Sequence, residues 1–267
     1  RQMCIRDSIM AAVVIDTDDF VELLKAAQVT TFTGKDDPVM RCVYLDTTRT
    51  DADAGSEETL VAFSGDRNVW GQYSCPAEGE LESPLVIDIA ANKWIISSVT
   101  AAKKNMQELE GKNAECRVNL SLTGTASTGQ RLVVQTTTDG IRGDKDIEAI
   151  IPLETEPWPV TTAEQYLSGK HFNVAGSDVD DLPDGKVMGF DSSATTVMDK
   201  ISGVIKDNVM QYPTGHSAGR RILTCGPRWR GSVPGYSFTP EQAEEPTVEF
   251  ISIDRGESED TGEDVAE

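Results

Sequence analysis

Histidine is almost missing from this chain, with two residues in 267, His171 and His216. Both lie in polar, glycine-neighboured segments, which assigns them to solvated loops rather than to proton transfer. No G-x-S-x-G or H-E-x-x-H occurs, and Thr33-Gly34-Lys35-Asp36 lacks the preceding glycine and following hydroxyl of a phosphate loop. With no such constellation the chain is expected to be no enzyme and to need no cofactor. Cysteine is scarce too, and none of the five residues forms a C-x-x-C pair or a zinc spacing. Cys42, Cys75, Cys116 and Cys225 therefore read as buried thiols of a reducing cytoplasm, with no metal centre. No apolar run approaches the roughly 20 residues of a membrane helix, so no membrane association is expected.

Positive charge is also in short supply. Lysine and arginine number 24 against 45 carboxylates, a formal net charge of −21. Such a chain does not coat nucleic acid with its whole surface, because that affinity comes from many Lys and Arg contacts to phosphate. A small basic patch on an acidic body remains compatible. Eleven of the carboxylates, against one arginine, crowd residues 241–267; the stretch from 254 to the end reads as an acidic, disordered tail. Asp178, Asp180, Asp181 and Asp184 share a loop, but their order misses the calcium-loop pattern. Residues 1–9 resemble translated sequencing-adapter sequence, and Met10 is the better initiator, so they are set aside as a non-native leader.

What is present is strand and helix periodicity in a repeated order. Leu85 to Ile89 is a short β-branched and aliphatic run suited to a strand. Ala91, Trp94, Ile95, Val99 and Ala102 then recur at three- and four-residue steps, one apolar face of a helix. Lys93, Ser97, Thr100 and Lys104 lie on another face, with Lys103 beside it. A helix face with lysines at both ends and no carboxylate reads either as a solvated surface or as a surface that rides along a polyanion. Residues 11–75 and 84–153 each run strand, helix, then two or three antiparallel strands, an internal echo expected to give a layered α+β unit. After a Pro-, Gly- and Asp-rich connector, Val187 to Phe190 and Ala194 to Ile205 predict a further strand and helix, and Gly226-Pro227 a hairpin turn.

The run from Phe20-Val-Glu-Leu-Leu-Lys through Pro38-Val-Met-Arg-Cys-Val-Tyr-Leu to Leu60-Val-Ala-Phe-Ser-Gly-Asp resembles the opening half of a bacterial-type DNA sliding clamp domain, the DNA polymerase III beta-subunit family. Leu85 to Lys104, followed by strands to Ile150-Ile-Pro-Leu-Glu-Thr-Glu-Pro-Trp-Pro, is similar to the closing half. The resemblance implies an α+β fold of clamp-type units: a clamp-like domain over residues 10–157, a linker over 158–185 and an abbreviated second domain over 186–253. It implies a cytoplasmic, non-enzymatic processivity factor of bacterial or phage type. Such a factor would form a dimeric or trimeric ring around duplex DNA and would partner a DNA polymerase and a clamp loader. The matching helices then place Lys25, Lys93, Lys103, Lys104, Lys200 and Lys206 on the DNA-facing wall. Trp158, flanked by Pro157 and Pro159, falls near the junction where the family docks partner peptides, and reads as a linker-packing residue. Two other classes stay open. A β-rich phage structural or protein-interaction protein would show no helix-borne positive surface, and a metal enzyme would converge Asp178, Asp180 and Asp184 on one point.

Overall fold

Among the described residues an aspartate twice closes a short strand and starts a helix, and both times its side chain caps the helix. Asp16 ends strand β1 (Val13–Asp16) and accepts hydrogen bonds from the backbone N–H of Asp18 and Asp19 at the start of helix α1 (Thr17–Thr30). Asp88 ends β5 (Leu85–Asp88) and accepts from Ala90 N–H as α2 (Ile89–Glu110) begins. Each carboxylate satisfies donors that the first turn leaves unpaired and places negative charge at the positive end of the helix dipole. The computed structural model describes residues 13–50, 57–81, 83–123, 131–138, 141–142, 147–150, 157–168, 187–190, 192–213 and 220–238.

Antiparallel strands follow each of these helices. After α1 come β2 (Cys42–Thr50), β3 (Glu57–Gly65) and β4 (Trp70–Pro76). After α2 come β6 (Cys116–Thr123), β7 (Arg131–Thr138), and the short β8 (Ile141–Arg142) and β9 (Ile147–Ile150), which both pair with β7. The two opening strands are exchanged: β1 pairs antiparallel with β6, and β5 pairs antiparallel with β2. Neither unit completes its sheet without the other, so residues 13–150 fold as one interlocked pair. A third unit consists of β10 (Val187–Phe190), α4 (Ser192–Ile205), β11 (Val209–Pro213), β12 (Arg220–Cys225) and β13 (Trp229–Phe238). Its β13 joins β4, with Trp229 opposite Tyr73 and Ser232 opposite Trp70. The result is an eight-stranded sheet ordered β11-β12-β13-β4-β3-β2-β5, with β10 added on β13, beside a five-stranded sheet of β1, β6, β7, β8 and β9.

The alternation of β3 shows how the large sheet is filled. Leu60 and Ala62 point to the core that holds Phe20, Leu23 and Leu24 of α1, Ile95 and Val99 of α2, and Val197 and Ile201 of α4. Val61 and Phe63 point to the opposite face, into a second cluster with Met40, Cys42, Trp70 and Val86. That second face is covered by a helix the composition concealed. Within the expected connector, α3 (Val160–Ser168) forms because Val160, Ala163 and Leu167 recur at helical steps and Tyr166 flanks them; Ala163 and Leu167 are buried. Trp158 just before it is 4% exposed, stacks on Tyr44 and donates its indole N–H to the Cys42 carbonyl at 3.3 Å. Burying such a side chain contributes roughly 1.5–3 kcal/mol.

The structure adds further detail. Strand β2 runs on to Thr50 and β3 starts at Glu57, which pairs opposite it. Strand β11 forms from Val209-Met-Gln-Tyr-Pro, whose polar Gln and terminal Pro masked a strand. Trp94, placed on the apolar face of α2 by its spacing, is 46% exposed, because Asn92, Ile95 and Val99 are the residues of that stretch turned to the core side. Cys42, Cys75, Cys116 and Cys225 are buried thiols, none of them in a disulfide among the described residues. His171, His216, the Asp178–Asp184 loop, residues 1–9 and residues 254–267 lie outside the described residues.

Candidate nucleic-acid interface

Helices α1, α2 and α4 form one layer over the inner faces of the two sheets, with α1 in the middle and in contact with both others. The layer is held by polar as well as apolar contacts. Asn92 of α2 is fully buried and donates its side-chain N–H to the Leu24 carbonyl of α1 at 3.3 Å. Lys103 of α2 reaches Asp18 of α1 at 2.5 Å, its side chain largely covered. Lys103 thus serves as a tie between helices, and its charge is matched within the protein.

The other five lysines are exposed on this layer or at its edge. Lys25 lies on α1, Lys93 and Lys104 on α2, and Lys200 on α4. Lys206 follows α4 in a left-handed conformation (φ 60°), its backbone N–H bonded to the Ser202 carbonyl, so it terminates the helix. Lys104 has a 3.9 Å contact to Glu108 one turn on, an exposed pair that costs little to break. The hydroxyls between the two α2 lysines turn inward: Ser97 donates to the Trp94 carbonyl and Thr100 to the Ile96 carbonyl. The face therefore presents mobile ammonium groups without a fixed array of hydrogen-bonding groups, which suits contact with phosphates rather than base edges.

The carboxylates of α1 are engaged by the protein. Asp19 accepts from Arg228 in the β12–β13 turn, and Glu22 accepts from the Tyr73 hydroxyl of β4, each at 2.5 Å. Burial first, then the bond to Glu22, pushes the Tyr73 phenol well above its ordinary value. Burial works against the Arg228 charge, yet the bond to Asp19 prevails and raises its guanidinium further. These contacts also fix the seam where the third unit joins the first. At that seam Gly71 faces Gly231 across the strands. A Cβ on Gly71 would stand 2.5 Å from the Thr30 hydroxyl, which pairs with Ser64, so glycine lets the end of α1 lie close on β4. On the outer face, Arg220 stacks over Tyr166 and Arg230 donates to the Leu167 carbonyl, fastening α3 to the third unit.

Among the described residues no group of three or more His, Cys, Asp or Glu side chains is placed to hold a metal ion. A cleft of about 390 Å³ beside β1 is lined by Asp16, Asp19, Glu78, Glu115 and Arg117. Among the described residues no helix is long and apolar enough to cross a membrane.

No family model matches the sequence, and no curated protein does. Solved structures do match. The DNA polymerase III beta subunit of Thermotoga maritima is similar at a TM-score of 0.51 and 10% identity, covering 89% of this chain and 66% of that one. The DNA polymerase sliding clamp of Caulobacter crescentus is similar at 0.51 and 12%, covering 84% and 65%. The chain spans about two thirds of the length of these clamp chains. The fold is thus an α+β assembly of repeated sheet-and-helix units that resembles the domains of DNA polymerase III beta-type clamps.

Proposed function

We propose that this protein is a DNA sliding clamp: a non-catalytic processivity factor that encircles duplex DNA and tethers a replicative polymerase. The observation that carries the reading is the single layer of α1, α2 and α4, which displays exposed lysines while the acids of α1 are tied to Lys103, Arg228 and Tyr73. In this reading the layer is the inner wall of a ring of two or three copies, and Lys25, Lys93, Lys104, Lys200 and Lys206 attract phosphates. Lys103 belongs to the same wall but holds it together. A wall of flexible ammonium groups gives attraction without register, so the ring moves along the duplex while topology keeps it there. The polymerase and a clamp loader are the expected protein partners, and the cytoplasm the expected compartment.

The test is topological. Protein assembled on nicked circular DNA at high concentration, then diluted and passed through a sizing column, is expected to co-elute with the circle. It should be lost once the circle is cut at one site. Equal retention on circular and linear DNA would refute encirclement.

A further inference from the structure

Each unit of this fold opens with the same four-residue pattern, apolar-x-apolar-Asp. It reads Val13-Val-Ile15-Asp16 in β1, Leu85-Val-Ile87-Asp88 in β5 and Met188-Gly-Phe190-Asp191 at β10. The pattern occurs twice more, within β2 at Val43-Tyr-Leu45-Asp46, where no helix follows, and at Ile251-Ser-Ile253-Asp254, after which the polar, acidic residues carry no helical periodicity.

In the interlocked pair an opening strand does not stay with its own unit. It adds to the first strand after the helix of the other unit: β1 on β6, β5 on β2. In the third unit that position is the edge of β11. Among the described residues β12 is the one strand paired with β11. The contrast with β2 is direct. Where β5 covers β2, Val43 and Leu45 are fully buried; on β11 Val209 is half-buried, Gln211 is exposed and Met210 is 56% exposed. Strand edges left in this state are sites of strand addition.

We propose that the β11 edge is the docking site for residues 251–254 of this same chain, added antiparallel as β5 is added to β2. Val209 shares the core side with Val43, so the register of the first pair carries over: Val209 faces Ile253, Met210 faces Ser252 and Gln211 faces Ile251. The twelve residues between Phe238 and Ile251 reach up to roughly 40 Å when extended. Crossing from β13 past β12 and β11 requires about 15 Å at the spacing of neighbouring strands. The inference follows from the repeat and the sheet pairing alone and does not depend on the clamp reading.

The experiment is a disulfide trap in the full chain. Met210→Cys with Ser252→Cys places two thiols on directly opposed residues, whose Cα separation in an antiparallel pair suits a disulfide. The control is Met210→Cys with Ser258→Cys. Under mild oxidation the first pair is expected to close within one chain on the order of tenfold faster than the control, since docking holds it at one short separation rather than at that of a loose tether. Equal rates would overturn the proposal, and so would disulfide-linked dimers as the main product, which would assign the edge to a second copy. Hydrogen exchange gives an independent reading. Ile251→Asp with Ile253→Asp should raise exchange across residues 209–213 and leave β3 protected, and unchanged exchange at β11 would equally overturn it.

Discussion

Reversing two charges on α2, Lys93→Glu with Lys104→Glu, separates a working inner wall from a merely solvated one. Both side chains are exposed, and the Lys104–Glu108 contact is a weak surface pair, so folding should be unaffected. Binding to duplex DNA should not be. Each phosphate neutralised contributes about 0.9 to the slope of log affinity against log salt. Five exposed lysines, with Lys103 excluded by its pairing to Asp18, give a slope of about −4.5, and three remaining give about −2.7. Between 50 and 200 mM salt the parent should lose roughly five-hundredfold in affinity and the variant roughly fortyfold. Fluorescence anisotropy with a labelled duplex across that salt range measures both slopes. Identical slopes, with identical affinity at low salt, would remove these two lysines from any DNA contact and undo the wall assignment. Lys103→Glu behaves differently in this account: opposed to Asp18, it should lower stability.

Two other predictions concern the frame that holds the wall. Trp158→Ala empties a site between Tyr44, Phe63 and Trp70 and removes the donor to the Cys42 carbonyl. A loss of about 3–5 kcal/mol in denaturant unfolding is expected, whereas a loss below about 1 kcal/mol would mean that α3 covers the sheet without help from the tryptophan. The second is a pH effect. Burial pushes the Cys75 thiol up to about 12 from an unfolded value of 9.0. Between those values the unfolded chain binds fewer protons than the native one, so stability falls as pH rises, by up to about 1.4 kcal/mol per unit from this group. Cys75→Ala should flatten the fall above pH 9 measured by denaturant titration, and an unchanged slope would show that Cys75 does not contribute.

Much of this architecture is written in local patterns. The change of period at Ile89, from strand to helix, is legible because Asp88 supplies a cap and Ile95 and Val99 continue the apolar face. The alternation of Val43 and Leu45 against Cys42 and Tyr44 likewise matches the two clusters on either side of the sheet. What the sequence hid depends on long-range pairing. Helix α3 is nine residues in a stretch whose composition reads as linker, and it is held by Trp70, Arg220 and Arg230, none of them close in sequence. Trp94 fits the apolar spacing of α2, but Asn92 takes the position against α1 and leaves the indole outside. The lysines could be placed on helices by period. That Lys103 is a tie to Asp18 while Lys25, Lys93, Lys104, Lys200 and Lys206 stand exposed is a tertiary fact.

The central claim is that copies of this chain close a ring, and the native mass of the full chain in solution tests it most directly. Light scattering after size exclusion should return a discrete species of about 58 or 87 kDa, twice or three times the 29.0 kDa chain, as closed symmetry requires. A single species at the mass of one chain, persisting at tens of micromolar, would contradict it, because three sheet-and-helix units cannot surround a duplex alone.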